Sequence, residues 1–164
     1  MKISTILAKI KKRDEAANYD YKYEKKYGIL RRKGRKWDSE QERILYSILR
    51  QIYTGRKIFN HVRFEEAPTL EYDFFIPDES LVIEYNGQEH YCVVEGMTVY
   101  DFYGRVYRDR CKLNNACKRG YTYIPIPFDI GLTVGIVKKW IDSGWDKEKV
   151  IQHYLEYYEK NKFG

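Results

Sequence analysis

At 164 residues the chain is long enough to bury one sizeable core. Hydrophobic residues make up 43% and aromatics 16%, which excludes a disordered chain, and no apolar run approaches the length of a membrane span. Lys plus Arg number 30 against 24 Asp plus Glu, a net charge of +6, so a polyanionic partner is expected and a membrane partner is not.

The N-terminal segment is charged too early and is too short for a signal peptide. Cys92, Cys111 and Cys117 form neither a disulfide framework nor a zinc pattern, so free thiols, no structural zinc and a cytoplasmic location are expected. Ile3, Ile6, Leu7 and Ile10 predict a helix over residues 3–17. Alternating Tyr19, Tyr21 and Tyr23 then allow a short strand or an extended arm over residues 18–28. Tyrosines among lysines can stack on bases, or can equally pack the arm onto the domain. Residues 22–37 hold Lys22, Lys25, Lys26, Arg31, Arg32, Lys33, Arg35 and Lys36 against the single acid Glu24. That run suits a phosphate backbone, with a solvated linker as the bland alternative. An N-terminal helix and basic arm over 1–37 and a core with C-terminal helices over 38–164 are therefore expected.

A clearer helix is predicted over 39–52, with Ile44, Leu45, Ile48, Leu49 and Ile52 as its buried stripe. Ser39 and Glu42 fit a capping box at its start. Strands are predicted over 57–64, 71–77 and 81–86, the last apolar on both faces and so internal to a sheet. Residues 91–103 read as an irregular loop and 104–119 as a helix whose charged side ends in Lys118 and Arg119. Residues 121–127 read as a strand that Pro125 and Pro127 confine to an edge or cut short. Helices near 133–142 and 146–160 complete an α/β chain built around a mixed sheet.

The chemistry concentrates in residues 71–90. Asp73 and Glu84 each place one acid in an otherwise oily strand, which is unfavourable unless the carboxylate is paired, hydrogen-bonded or bound to a cation. A divalent ion held by two such acids suits phosphodiester hydrolysis, because it activates water and neutralises developing charge. His90, just past Gly87, can orient or deprotonate a water or protonate the leaving group. Asp109 can hold His90 in one tautomer or bind the cation through water, Lys112 can contact a phosphate, and Gln88 can position water or contact a phosphate. Glu42 either caps its helix or reaches the cation. The bland alternative for Asp73 and Glu84 is a carboxylate pair neutralised by Arg63 or another base. His61 and His153 lack such company and are expected in a strand and a surface helix.

Ser39-Glu-Gln-Glu42, Tyr72-Asp73-Phe-Phe-Ile-Pro77, Leu81-Val-Ile-Glu84-Tyr-Asn-Gly-Gln88-Glu-His90 and Arg108-Asp109-Arg-Cys-Lys112-Leu-Asn114 together resemble the PD-(D/E)XK, or restriction-endonuclease-like, nuclease superfamily. The similarity is greatest to its very-short-patch repair and Glu–Asp–x–His–Asp homing endonuclease branch, and it covers residues 39–128. The resemblance implies a three-layer α/β core and Mg²⁺-dependent cleavage of double-stranded or branched DNA, with Mn²⁺ as an alternative ion. It implies a phage or mobile-element association, and a monomer or homodimer. Two departures stand out. Asn86 replaces the lysine of the usual Glu-x-Lys pair, which leaves that work to His90 or Lys112. The zinc site of the repair enzymes has no equivalent, which counts against their repair specificity and leaves a mismatch, a branched junction or a defined duplex site as candidate substrates. The alternatives are an inactive DNA-binding module on a nuclease scaffold and a protein-interaction factor of a mobile element or phage.

Overall fold

The computed structural model describes residues 2–31 and 37–161, with backbone alone for 13–19 and 31. The expected DNA contacts Arg32, Lys33, Arg35 and Lys36, and the side chain of Arg31, lie outside the described residues. In chain order the elements are α1 (Ile3–Tyr27), β1 (Ile29–Arg31), α2 (Glu40–Ile52), β2 (Phe59–Phe64), β3 (Ala67–Ile76), β4 (Leu81–Asn86), α3 (Val99–Lys118), β5 (Thr122–Pro127), α4 (Val134–Ile141) and α5 (Lys147–Asn161).

The strands form one five-stranded mixed sheet in the order β1-β2-β3-β4-β5. The first four pair antiparallel, and β5 runs parallel to β4 from Leu81↔Thr122 to Asn86↔Pro127. A parallel pair needs a long crossover, and α3 supplies it. Pro125 and Pro127 sit on the edge strand, where missing N–H donors break no ladder, and the strand runs its full length.

Helices cover both faces. Leu45, Leu49, Val137 and Ile141 from α2 and α4 pack on Phe74, Ile76, Ile83 and Ile126. Leu113, Ala116, Val150 and Tyr154 from α3 and α5 pack on Phe75, Val82 and Tyr123. The result is a three-layer α/β core, as expected. Among the described residues no helix is long and apolar enough to cross a membrane. All three cysteines are free.

Several local expectations are corrected. Residues 18–27 are helical, not an arm, because Tyr23 and Tyr27 meet at the i,i+4 spacing and both reach the core. Tyr23 packs on Phe59 with ring centroids 6.1 Å apart, and Tyr27 meets Phe75 edge-on at 5.6 Å. Gly28, at φ 62°, caps the helix in the left-handed region and donates its N–H to the Glu24 carbonyl. The chain then enters the sheet as β1, so the expected boundary at residue 37 does not separate two structural units. Helix α3 begins at Val99, inside the segment expected to be a loop, because Thr98 and Asp101 form a reciprocal capping box. His153 is buried, not on a surface.

Candidate active site

Asp73 and Glu84 come from neighbouring antiparallel strands and interlock. The Tyr85 N–H donates to Asp73 Oδ2 at 2.8 Å, and the Asp73 N–H donates to Glu84 Oε1 at 3.2 Å. Loss of water and the adjacent Glu84 carboxylate push the Asp73 carboxyl well above its usual range. Burial likewise lifts Glu84 to about 7, although Lys112 opposes the shift. Lys112, from α3, places Nζ 3.2 Å from Glu84 Oε2. Burial disfavours its charge, but Glu84, Asp73 and Asp109 together raise its pKa above that of an ordinary lysine. Arg63, weighed above as the neutralising base, instead pairs with Glu71 at 3.0 Å.

These residues open into a cleft of about 600 Å³ lined by Glu42, Asp73, Glu84, Gln88, His90 and Lys112, with Asp38, Glu71 and Arg105 among the other walls. Six of the seven residues chosen for catalysis therefore face one space, and the seventh, Asp109, stands directly behind His90. Asp109 Oδ2 lies 2.8 Å from His90 Nδ1. A carboxylate only accepts, so Nδ1 carries the proton and neutral His90 presents Nε2 as an acceptor. Arg105 Nη1 is 3.4 Å from that nitrogen. A tight turn at Gln88–His90 brings the ring back over the end of β4.

Glu42 does more than cap α2. Ser39 Oγ accepts from the Glu42 N–H at 3.1 Å, while Glu42 Oε2 accepts from the Asp38 N–H at 3.0 Å. The carboxylate is buried and turned toward the sheet. There it meets His61, a strand residue with no acidic company within its own strand. His61 Nε2 lies 2.9 Å from Glu42 Oε1, and Nδ1 lies 3.1 Å from Glu71 Oε1 and 3.7 Å from Asp38 Oδ2. The Glu42 contact raises the His61 pKa against the opposing effect of burial. His61 also has φ 51°, an uncommon conformation outside glycine. The pairs Asn60↔Phe74 and Val62↔Tyr72 bracket it opposite Asp73. Among the described residues, Asp38, Glu42, His61 and Asp73 each offer one donor atom within 4.8 Å of the others. Asp38, His61 and Glu71 carried no local motif. Their company lies across the hairpin and at the start of α2, beyond the reach of a linear pattern.

Asn86 points away from this chemistry. Its amide donates to the Tyr91 and Tyr154 hydroxyls at 3.1 and 2.9 Å beneath α5. The position after Glu84-Tyr is thus structural, and the lysine beside Glu84 comes from α3.

The basic residues divide. Lys25 and Lys26 are exposed on α1, and Lys118 is exposed at the end of α3. Arg119 is committed within the fold. It pairs with Glu66, donates to the Tyr27 carbonyl at 2.8 Å and lies over the Phe64 ring at 4.2 Å. Comparison with protein-family models, with curated proteins and with solved structures found no match.

Proposed function

We propose that this protein is a divalent-metal-dependent DNA endonuclease that hydrolyses phosphodiester bonds. The observation that carries the proposal is the convergence of the Asp73–Glu84 pair, Lys112 and the His90–Asp109 pair on one cleft. The donor set fits a hard divalent cation such as Mg²⁺ or Mn²⁺. Asp73 and Glu84 are oxygen donors whose pKa values are raised chiefly by burial, which disfavours their charge, and a cation beside them offsets that cost. When bound there, such an ion supplies Lewis-acid polarisation of the phosphate and makes water a stronger acid.

The chain's own residues do the rest. The Lys112 ammonium stands beside Glu84, placed to neutralise a non-bridging phosphate oxygen. His90 Nε2 takes a proton from attacking water or returns one to the leaving oxygen, while Asp109 fixes the ring and stabilises the imidazolium. Gln88 lines the cleft within reach of a water. Arg105 is positioned to hold a neighbouring phosphate.

DNA as the substrate is supported by the surface beside the cleft. Tyr100, Tyr103 and Tyr107 stand exposed on α3 among exposed Arg108 and Arg110, a combination that suits bases and backbone together. The exposed lysines Lys22, Lys25 and Lys26 on α1 add phosphate affinity. A monomer would nick, and a homodimer would place two sites on opposite strands.

The test is cleavage of supercoiled plasmid and of four-way-junction DNA with Mg²⁺, with Mn²⁺ and with EDTA. Metal-dependent nicked or linear product, lost in Asp73→Asn, is the expected result. DNA binding that persists without any cleavage in either metal would replace the nuclease by a binding module on the same scaffold.

A further inference from the structure

Among the described residues, His61 stands out as a buried side chain with both ring nitrogens lacking a hydrogen bond. It is 1% exposed, carries two polar ring atoms, and sits at a backbone angle that a strand histidine ordinarily avoids. Three carboxylates approach the ring at ion-pair distances, 2.9 Å for Glu42, 3.1 Å for Glu71 and 3.7 Å for Asp38, but not along the directions of its N–H bonds. Among the described residues, both ring nitrogens and Glu42 Oε1 are buried without a hydrogen-bond partner. A ring held in place as a paired imidazolium would aim its N–H bonds along those contacts. The nitrogens of this ring instead face the acids as close ion-pair neighbours without a hydrogen bond along either N–H direction.

The spacing suits a shared ion. Donors about 2.1 Å from one cation lie roughly 3 Å apart when adjacent and about 4.2 Å apart when opposite. His61 Nε2 and Glu42 Oε1 are 2.9 Å apart, and the donors of Asp38, Glu42, His61 and Asp73 all fall within 4.8 Å of one another. Three carboxylates and one imidazole form a mixed oxygen–nitrogen set. Imidazole favours first-row transition ions, whereas Mg²⁺ and Ca²⁺ prefer oxygen alone.

We propose that His61, Glu42, Asp38 and Asp73 form a second cation site, selective for a divalent transition metal and distinct from the Asp73–Glu84 position. The site lies on the α2 side of Asp73, and His61 sets its selectivity. This assignment does not depend on the nuclease function: a nitrogen-ligated ion in a protein that cuts no DNA would support it.

The experiment uses Mn²⁺ as the probe on the full chain. Pulsed electron paramagnetic resonance of the bound ion should show ¹⁴N coupling from a directly coordinated imidazole, a readout that needs no variant and no cleavage. His61→Asn should abolish that coupling and weaken Mn²⁺ binding by calorimetry at least ~10-fold, while Glu84→Gln should leave the coupling in place. Asparagine is chosen because it tolerates the left-handed backbone region. Glu42→Gln, which leaves the β2 backbone untouched, should weaken Mn²⁺ binding as well. Absence of ¹⁴N coupling, failure of Mn²⁺ to bind, or coupling retained in His61→Asn would each overturn the assignment, the last by pointing to His90.

Discussion

At the scale of single residues, the cleft concentrates negative charge that the fold alone does not neutralise. Burial raises the pKa of both Asp73 and Glu84, and the Glu84 carboxylate raises that of Asp73 further. A neutral isostere at Asp73 should therefore stabilise the metal-free protein while abolishing cleavage. Asp73→Asn keeps an acceptor for the Tyr85 N–H, and its melting temperature in EDTA at neutral pH should exceed that of the wild type. An unchanged or lower value would mean that the carboxylate is better compensated than the geometry implies. His90→Ala should lower kcat by ~10²–10⁴, the range for loss of a general acid–base group. Asp109→Asn should also lower kcat with KM little changed, since it stops holding the ring without touching substrate. Much of this pair was legible in sequence, because His90 follows the acid-bearing strand at once. His61 was not, because its partners lie on α2, on β3 and just before α2.

At the scale of elements, the sequence and the structure diverge where two periodicities compete. Tyr19, Tyr21 and Tyr23 alternate like a strand, yet Tyr23 and Tyr27 are also one helical turn apart, and that spacing lets both rings reach Phe59 and Phe75. Packing decided between the two. Residues 91–103 read as a loop, although the Thr98–Asp101 box that starts α3 was present in the sequence. Lys118 and Arg119 separate in the same way. They adjoin at one helix end, but only Arg119 ties α3 to Tyr27, Glu66 and Phe64. Arg119→Ala should lower stability by about 1–3 kcal/mol, chiefly through the packing of its guanidinium, whereas Lys118→Ala should leave stability within about 0.5 kcal/mol. Denaturant midpoints of the two variants check both expectations.

At the scale of the whole molecule, α5 is locked onto the sheet by a buried polar chain. Asn86 donates to Tyr91, whose hydroxyl proton is then free for His153 Nε2 at 2.8 Å. Burial drops the His153 pKa to about 4 from its usual 6.5. The unfolded chain therefore takes up a proton that the folded chain refuses. The resulting stability is full above about pH 6.5 and is lost as pH falls toward about 4, by roughly 3 kcal/mol. Unfolding midpoints measured from pH 7 to pH 4 should fall more steeply for the wild type than for His153→Gln, and parallel curves would rule out this origin.

The sequence by itself determined the α/β class, the main strands, the paired acids and six of the residues that line the cleft. Hydrophobic periodicity is local, and a charged residue in an apolar strand is conspicuous wherever that strand goes. Only the tertiary structure decided which cation stands beside Glu84. It took Lys112 from α3, because Asn86 is engaged beneath α5. It also decided that His61 faces Asp38, Glu42 and Glu71. Both outcomes depend on how hairpin register and helix docking bring distant residues within a few ångströms, and no local pattern encodes that distance.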